Sequence, residues 1–120
     1  MKNVTAIDNI LMIDGVEILF KYKVTKFVEI NNVVVIRLEM RSRADDINNI
    51  YGVIDGKIAW RVQDQLEFNP EYTIFFPDPY VMIRIYDKNP ELIIATTFGG
   101  YRFLINPNNG KIVGTESWVK

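Results

Sequence analysis

Tyr51-Gly52-Val53-Ile54-Asp55-Gly56-Lys57-Ile58-Ala59-Trp60 decides the reading of this chain. Asp-Gly between two short apolar runs is a strong local signal for a tight hairpin, because both turn positions must accept positive φ. A second stretch repeats the design with a longer turn: Tyr101-Arg102-Phe103-Leu104-Ile105, then Asn106-Pro107-Asn108-Asn109-Gly110, then Lys111-Ile112-Val113-Gly114. Both hairpins predict antiparallel strands.

Working outward, the alternation continues. In Val16 to Val24, Ile18, Phe20, Tyr22 and Val24 share one face of a predicted strand, while Glu17, Lys21 and Lys23 share the other. Asn31-Asn32 reads as a turn into Val33 to Met40, with Val34, Ile36, Leu38 and Met40 on one side. Arg41 to Asn49 reads as a polar loop with one helical turn capped by Ser42. Gln63 to Pro79, with its prolines at 70, 77 and 79, reads as a connection or an edge. Runs at Tyr80 to Tyr86, Glu91 to Thr97, Tyr101 to Ile105 and Lys111 to Trp118 complete a second set.

The expectation is an all-β, single domain over 1–120, built by internal duplication. Segments 16–63 and 80–118 each form a four-stranded antiparallel meander, packed together as a sandwich or partly open barrel. Val4 to Ile13 is a candidate ninth strand, interrupted by Asp8 and Asn9.

Composition narrows the chemistry. The 120 residues contain no His and no Cys, which removes imidazole and thiolate catalysis, disulfides and Cys-ligated metals, and is compatible with a cytoplasmic setting. Fourteen Lys and Arg against fifteen Asp and Glu, interspersed, offer no phosphate-tracking surface, so nucleic acid is not an expected partner. Lys21, Lys23 and Lys26 read as a solvated strand face. Met1 to Ile13 lacks the charged start and unbroken apolar centre of a signal peptide, and no run has bilayer length.

The stretch Ile105-Asn106-Pro107-Asn108-Asn109-Gly110-Lys111-Ile112, with Asp55-Gly56-Lys57-Ile58-Ala59-Trp60 as a shorter version, resembles the strand–turn–strand repeat of quinoprotein-like β-propeller blades. With Thr96-Thr97-Phe98-Gly99-Gly100-Tyr101 ahead of the second hairpin, the chain also looks like short uncharacterised bacterial all-β proteins. The resemblance implies blade-like sheets. It implies no cofactor, since position 114 is Gly where the blade pattern has Trp and no quinone-binding residues carry over.

Function is therefore read as non-catalytic binding of another protein, with a bacterial immunity or antitoxin-like protein as the specific version. Self-association through edge strands is a further expectation. Candidate partner-binding residues are Phe75, Phe76 and Tyr80 on the proline-stiffened loop, with Trp60, Arg61, Tyr101 and Arg102 at the repeat hairpins. The alternative is a small-ligand site, with a sugar stacked on Trp60, Tyr101 or the Phe75 to Tyr80 loop. A third reading, glycoside hydrolysis by a pair drawn from Asp55, Asp64, Glu67 and Asp87, needs a carboxylate spacing that sequence does not supply. No metal site is expected, because Asp45 and Asp46 lack the alternating ligands of a calcium loop.

Overall fold

The computed structural model describes residues 3–40, 47–69 and 78–116. Its strands are β1 (Val4–Ile7), β2 (Ile10–Ile13), β3 (Val16–Leu19), β4 (Val24–Ile30), β5 (Val33–Leu38), β6 (Ile50–Ile54), β7 (Lys57–Arg61), β8 (Tyr80–Ile85), β9 (Ile93–Thr97), β10 (Arg102–Ile105) and β11 (Ile112–Glu116). One short helix, α1 (Gln65–Phe68), follows β7. They form antiparallel sheets in the orders β1-β2-β3, β4-β5-β6-β7 and β11-β10-β9-β8, and among the described residues none closes into a barrel.

The two expected meanders are present as β4–β7 and β8–β11, and their facing sides share one core. Val33, Val35, Ile50 and Trp60 come from the first, and Ile83, Ile93, Phe103 and Ile105 from the second. The sandwich carries a third layer, however. Leu11, Ile13 and Ile18 of the N-terminal sheet pack on Val34, Ile36 and Val53, the opposite side of the β4–β7 sheet. Strand β5 therefore lies between two cores, and Val34, Val35 and Ile36 are each fully buried. A strand covered on both sides reads as an unbroken apolar run, as Val33-Val34-Val35-Ile36 does. Each such side chain contributes roughly 1.5–3 kcal/mol by leaving water.

The expectations for the N-terminal strands change. Val4 to Ile13 is two strands, with Asp8 at φ 53° turning the chain between them. Asp14-Gly15, at φ 49° and 84°, makes the same turn as Asp55-Gly56 at 52° and 75°. The predicted strand from Val16 to Val24 is broken, so the first meander begins at Val24 and not at Val16. The break is a crossover between sheets, and the β1–β2 turn holds it. Phe20 N–H donates to Asn9 O at 2.8 Å, Asn9 Nδ2 donates to Phe20 O at 2.9 Å, and Val24 N–H donates to Asp8 O at 2.8 Å. Ile18, Phe20 and Val24 still enter one core, so the shared face survives although the strand does not.

A bulge corrects one more detail. Gly52 pairs with Trp60 but Val53 pairs with Ile58, so Ala59 is the extra residue on β7. Trp60 and Val62 face the shared core, and Ile58 is left 45% exposed. The predicted turn capped by Ser42 lies outside the described residues, as do residues 117–118 of the predicted last strand. The irregular connection contains α1, whose first turn is capped by Asp64 Oδ1 accepting from Leu66 N–H at 2.8 Å. Among the described residues, no helix is long and apolar enough to cross a membrane.

Candidate functional site

Of the seven candidate residues, Phe75 and Phe76 lie outside the described residues. The other five separate into buried and surface positions. Trp60 is buried: its ring lies against Gly52 on the neighbouring strand and against Gly110 in the β10–β11 turn, and its Nε1 donates to Pro107 O at 2.8 Å. A methyl group at either glycine would collide with the indole. Trp60 thus joins the two four-stranded sheets and offers no surface for stacking a sugar or a partner.

Tyr80 is fully buried and opens β8. Its backbone is gripped by Asn49, which is 2% exposed: Tyr80 N–H donates to Asn49 Oδ1 at 2.9 Å, and Asn49 Nδ2 donates to Tyr80 O at 3.0 Å and to Leu38 O at 2.9 Å. A side-chain amide mimics a strand partner here, using both its donor and its acceptor. The Tyr80 ring packs edge-on against Phe103, with centroids 6.1 Å apart. It belongs to the core.

Arg61 and Arg102 do not occupy equivalent positions. Arg61 ends β7 opposite Tyr51, whereas Arg102 opens β10 opposite Glu116, so Glu116 is the counterpart of Arg61. The Arg61 guanidinium lies 5.6 Å from the Tyr51 ring centroid, and its Nε donates to Asn48 O at 2.8 Å. Arg102 Nη1 meets Glu116 Oε1 at 2.9 Å.

That second contact is part of a cluster spanning the β8–β11 sheet. Tyr86 hydroxyl donates to Glu116 Oε2 at 2.7 Å, and Lys88 Nζ lies 3.4 Å from the same oxygen. The Tyr86 hydrogen bond first, then the Arg102 bond, with Lys88 adding, hold the Glu116 carboxyl at about 2 against an ordinary 4.5. Because the folded-state value is depressed, the stabilisation is complete above the ordinary carboxyl range and is lost as pH falls from there toward 2. Denaturant titrations of wild type and Glu116→Gln are therefore expected to differ most near neutrality and to converge in acid. A stability difference that stays constant down to pH 3 contradicts this role.

Tyr101 remains at the surface, 40% exposed, with Phe98 beside it at 73%. They flank Gly99-Gly100 in the β9–β10 turn, which is pinned by four hydrogen bonds. Thr97 N–H donates to Tyr101 O at 2.8 Å, Gly100 N–H to Thr97 O at 2.9 Å, Tyr101 N–H to Thr97 Oγ1 at 3.0 Å, and Phe98 N–H to Pro79 O at 2.9 Å. Thr97 itself is buried. Two aromatic side chains thus stand on a fixed backbone, tied to the residue that precedes Tyr80. Phe98 was missed as a candidate, although large aromatics on both sides of a glycine pair are visible in the sequence.

Three of the four carboxylates considered for hydrolysis have structural partners or positions, and the fourth, Asp87, lies in the turn after β8. Asp64 caps α1, Glu67 Oε1 accepts from Gln63 Nε2 at 3.1 Å, and Asp55 occupies the positive-φ turn. Asp64 and Glu67 border a shallow groove of about 320 Å³ with Arg61 and Lys111. Among the described residues, no three acidic side chains gather as a metal site.

Residues 1–117 match the profile of a protein family described as Domain of unknown function (DUF7957). No curated protein matches the chain.

Proposed function

We propose, for a chain that belongs to this family, a non-catalytic protein-binding role in which the aromatic β9–β10 turn is the anchor. The observation that carries the reading is Phe98, 73% exposed on a turn whose backbone is already fixed. An ordinary exposed aromatic in a mobile loop must have its backbone as well as its side chain ordered on binding, the backbone costing about 1–2 kcal/mol per residue. Here the backbone part of that cost was met on folding. Tyr101 adds a second ring, this one amphipathic, the residue type enriched at interface centres.

Within this reading, the two meanders are copies of one blade-like unit in a single domain, and the protein works in the cytosol. Its narrower form is a bacterial immunity or antitoxin-like protein, for which a toxin-like reading frame is expected beside the gene.

The test is affinity capture from the native cell with wild type and with the double variant Phe98→Ser/Tyr101→Ser. Both side chains are exposed, so the variant is expected to stay folded with a cooperative melting transition. A specific protein retained by wild type and lost by the variant supports the reading. Equal retention by both removes the turn from the interface.

A further inference from the structure

We infer that the outer side of the β1–β3 sheet is a second docking surface, which takes a basic amphipathic helix of a partner protein. Leu11, Ile13 and Ile18 of this sheet point into the core it shares with β4–β7. The opposite side carries two cross-strand rows, Thr5–Met12–Glu17 and Ile7–Ile10–Leu19. Ile7 is 72% exposed, Leu19 66% and Met12 36%, so three aliphatic anchors lie open on adjacent strands. Single exposed aliphatics are ordinary, whereas a contiguous row on a sheet marks a surface that another layer covers.

Charge indicates which layer. Residues 3–20 hold Asp8, Asp14 and Glu17 and no Lys or Arg. Glu17 sits in the outer row beside Met12, and Asp8 and Asp14 occupy the turns at the two ends of β2. Asp14 Oδ1 accepts from Asn3 N–H at 2.9 Å, and the nearest described cation along the chain, Lys21, lies over the Tyr22 ring. An apolar strip bordered by carboxylates is complementary to aliphatic residues flanked by Lys or Arg. It is self-repulsive toward a second copy of itself.

Size points the same way. Three strands place the outer row over roughly 10 Å, close to the diameter of one α-helix. A stable globular interface needs about 20–30 residues a side, far more than this face presents. The surface lies at the opposite end of the layer stack from Phe98 and Tyr101, so it stands or falls separately from the aromatic turn.

A fluorescein-labelled Leu/Lys amphipathic peptide of about 18 residues, long enough to hold a helix on a surface, is titrated with the full chain by anisotropy. Saturable binding is expected, weakened about tenfold or more by Ile7→Ser/Leu19→Ser. Glu17→Lys, a solvent-facing change that leaves the apolar row intact, is expected to weaken it several-fold and to reduce its salt dependence. A Leu/Glu peptide of the same pattern is expected not to bind. The inference is overturned by no binding of the Leu/Lys peptide, by equal binding to the Glu17→Lys protein, or by equal binding of the Leu/Glu peptide. Vesicles of anionic lipid captured through Leu19 in preference to the peptide would also overturn it.

Discussion

Trp60→Ala is expected to lower unfolding stability by about 3–5 kcal/mol, the range for truncating a buried aromatic. An orphaned Pro107 carbonyl, which now accepts from the indole at 2.8 Å, adds to this loss. Domains of this size have about 5–15 kcal/mol in total, so the loss takes a large share of it and a markedly lower urea midpoint is expected. Gly110→Ala attacks the same contact from the other side. Gly110 has φ +75°, unfavourable for any residue with a Cβ, and the added methyl would run into the Trp60 ring. The two sites share one contact, so their effects are not independent. Trp60→Phe/Gly110→Ala is expected to lose less than the sum of Trp60→Phe and Gly110→Ala in urea titrations, because a smaller ring leaves room for the methyl. Strict additivity would mean that the indole and the turn do not press on each other.

Asn49→Ala is expected to cost about 3–5 kcal/mol, since Tyr80 N–H and Leu38 O lose their partner, Tyr80 O keeps only the 3.4 Å bond from Arg37 Nη1, and water has little access to replace the amide. Asn49→Asp separates the acceptor from the donor. Aspartate keeps an acceptor for Tyr80 N–H but turns a carboxylate toward the Leu38 and Tyr80 carbonyls, where Asn49 now donates at 2.9 and 3.0 Å. Protonation restores one donor. The Asp variant is therefore expected to recover stability as pH is lowered, while the Ala variant stays low. Parallel behaviour of the two across pH would show that the amide donor contributes nothing.

Strand content and most turns were legible because their causes are local. Ile18, Phe20 and Val24 were read on one face and enter one core, and Asp55-Gly56 was read as a turn and is one. Asp14-Gly15 carries the same dipeptide signal, yet Val4 to Ile13 was read as one strand running toward it. The obstacle was Asp8, which looked like a defect in an alternation and is a turn residue at φ 53°. In the candidate site, Tyr101 was read as a surface residue and is 40% exposed, whereas Tyr80 was read the same way and is fully buried. Both begin short apolar runs after irregular segments. What separates them is Asn49, 31 residues away in sequence from Tyr80.

From sequence alone came the all-β class, the two meanders, the hairpin turns and the lack of imidazole and thiol chemistry. These follow from period-two alternation, φ preferences and side-chain inventory, each settled within a few residues. Tertiary structure decided that a third sheet covers β5 on its second side, that Trp60 faces inward across 47 residues to Pro107, and that Phe98 and Leu19 stay in water. Those outcomes depend on which sheets meet. An apolar side chain carries the same tendency to leave water in every strand, and only the arrival of a neighbouring layer determines whether it can.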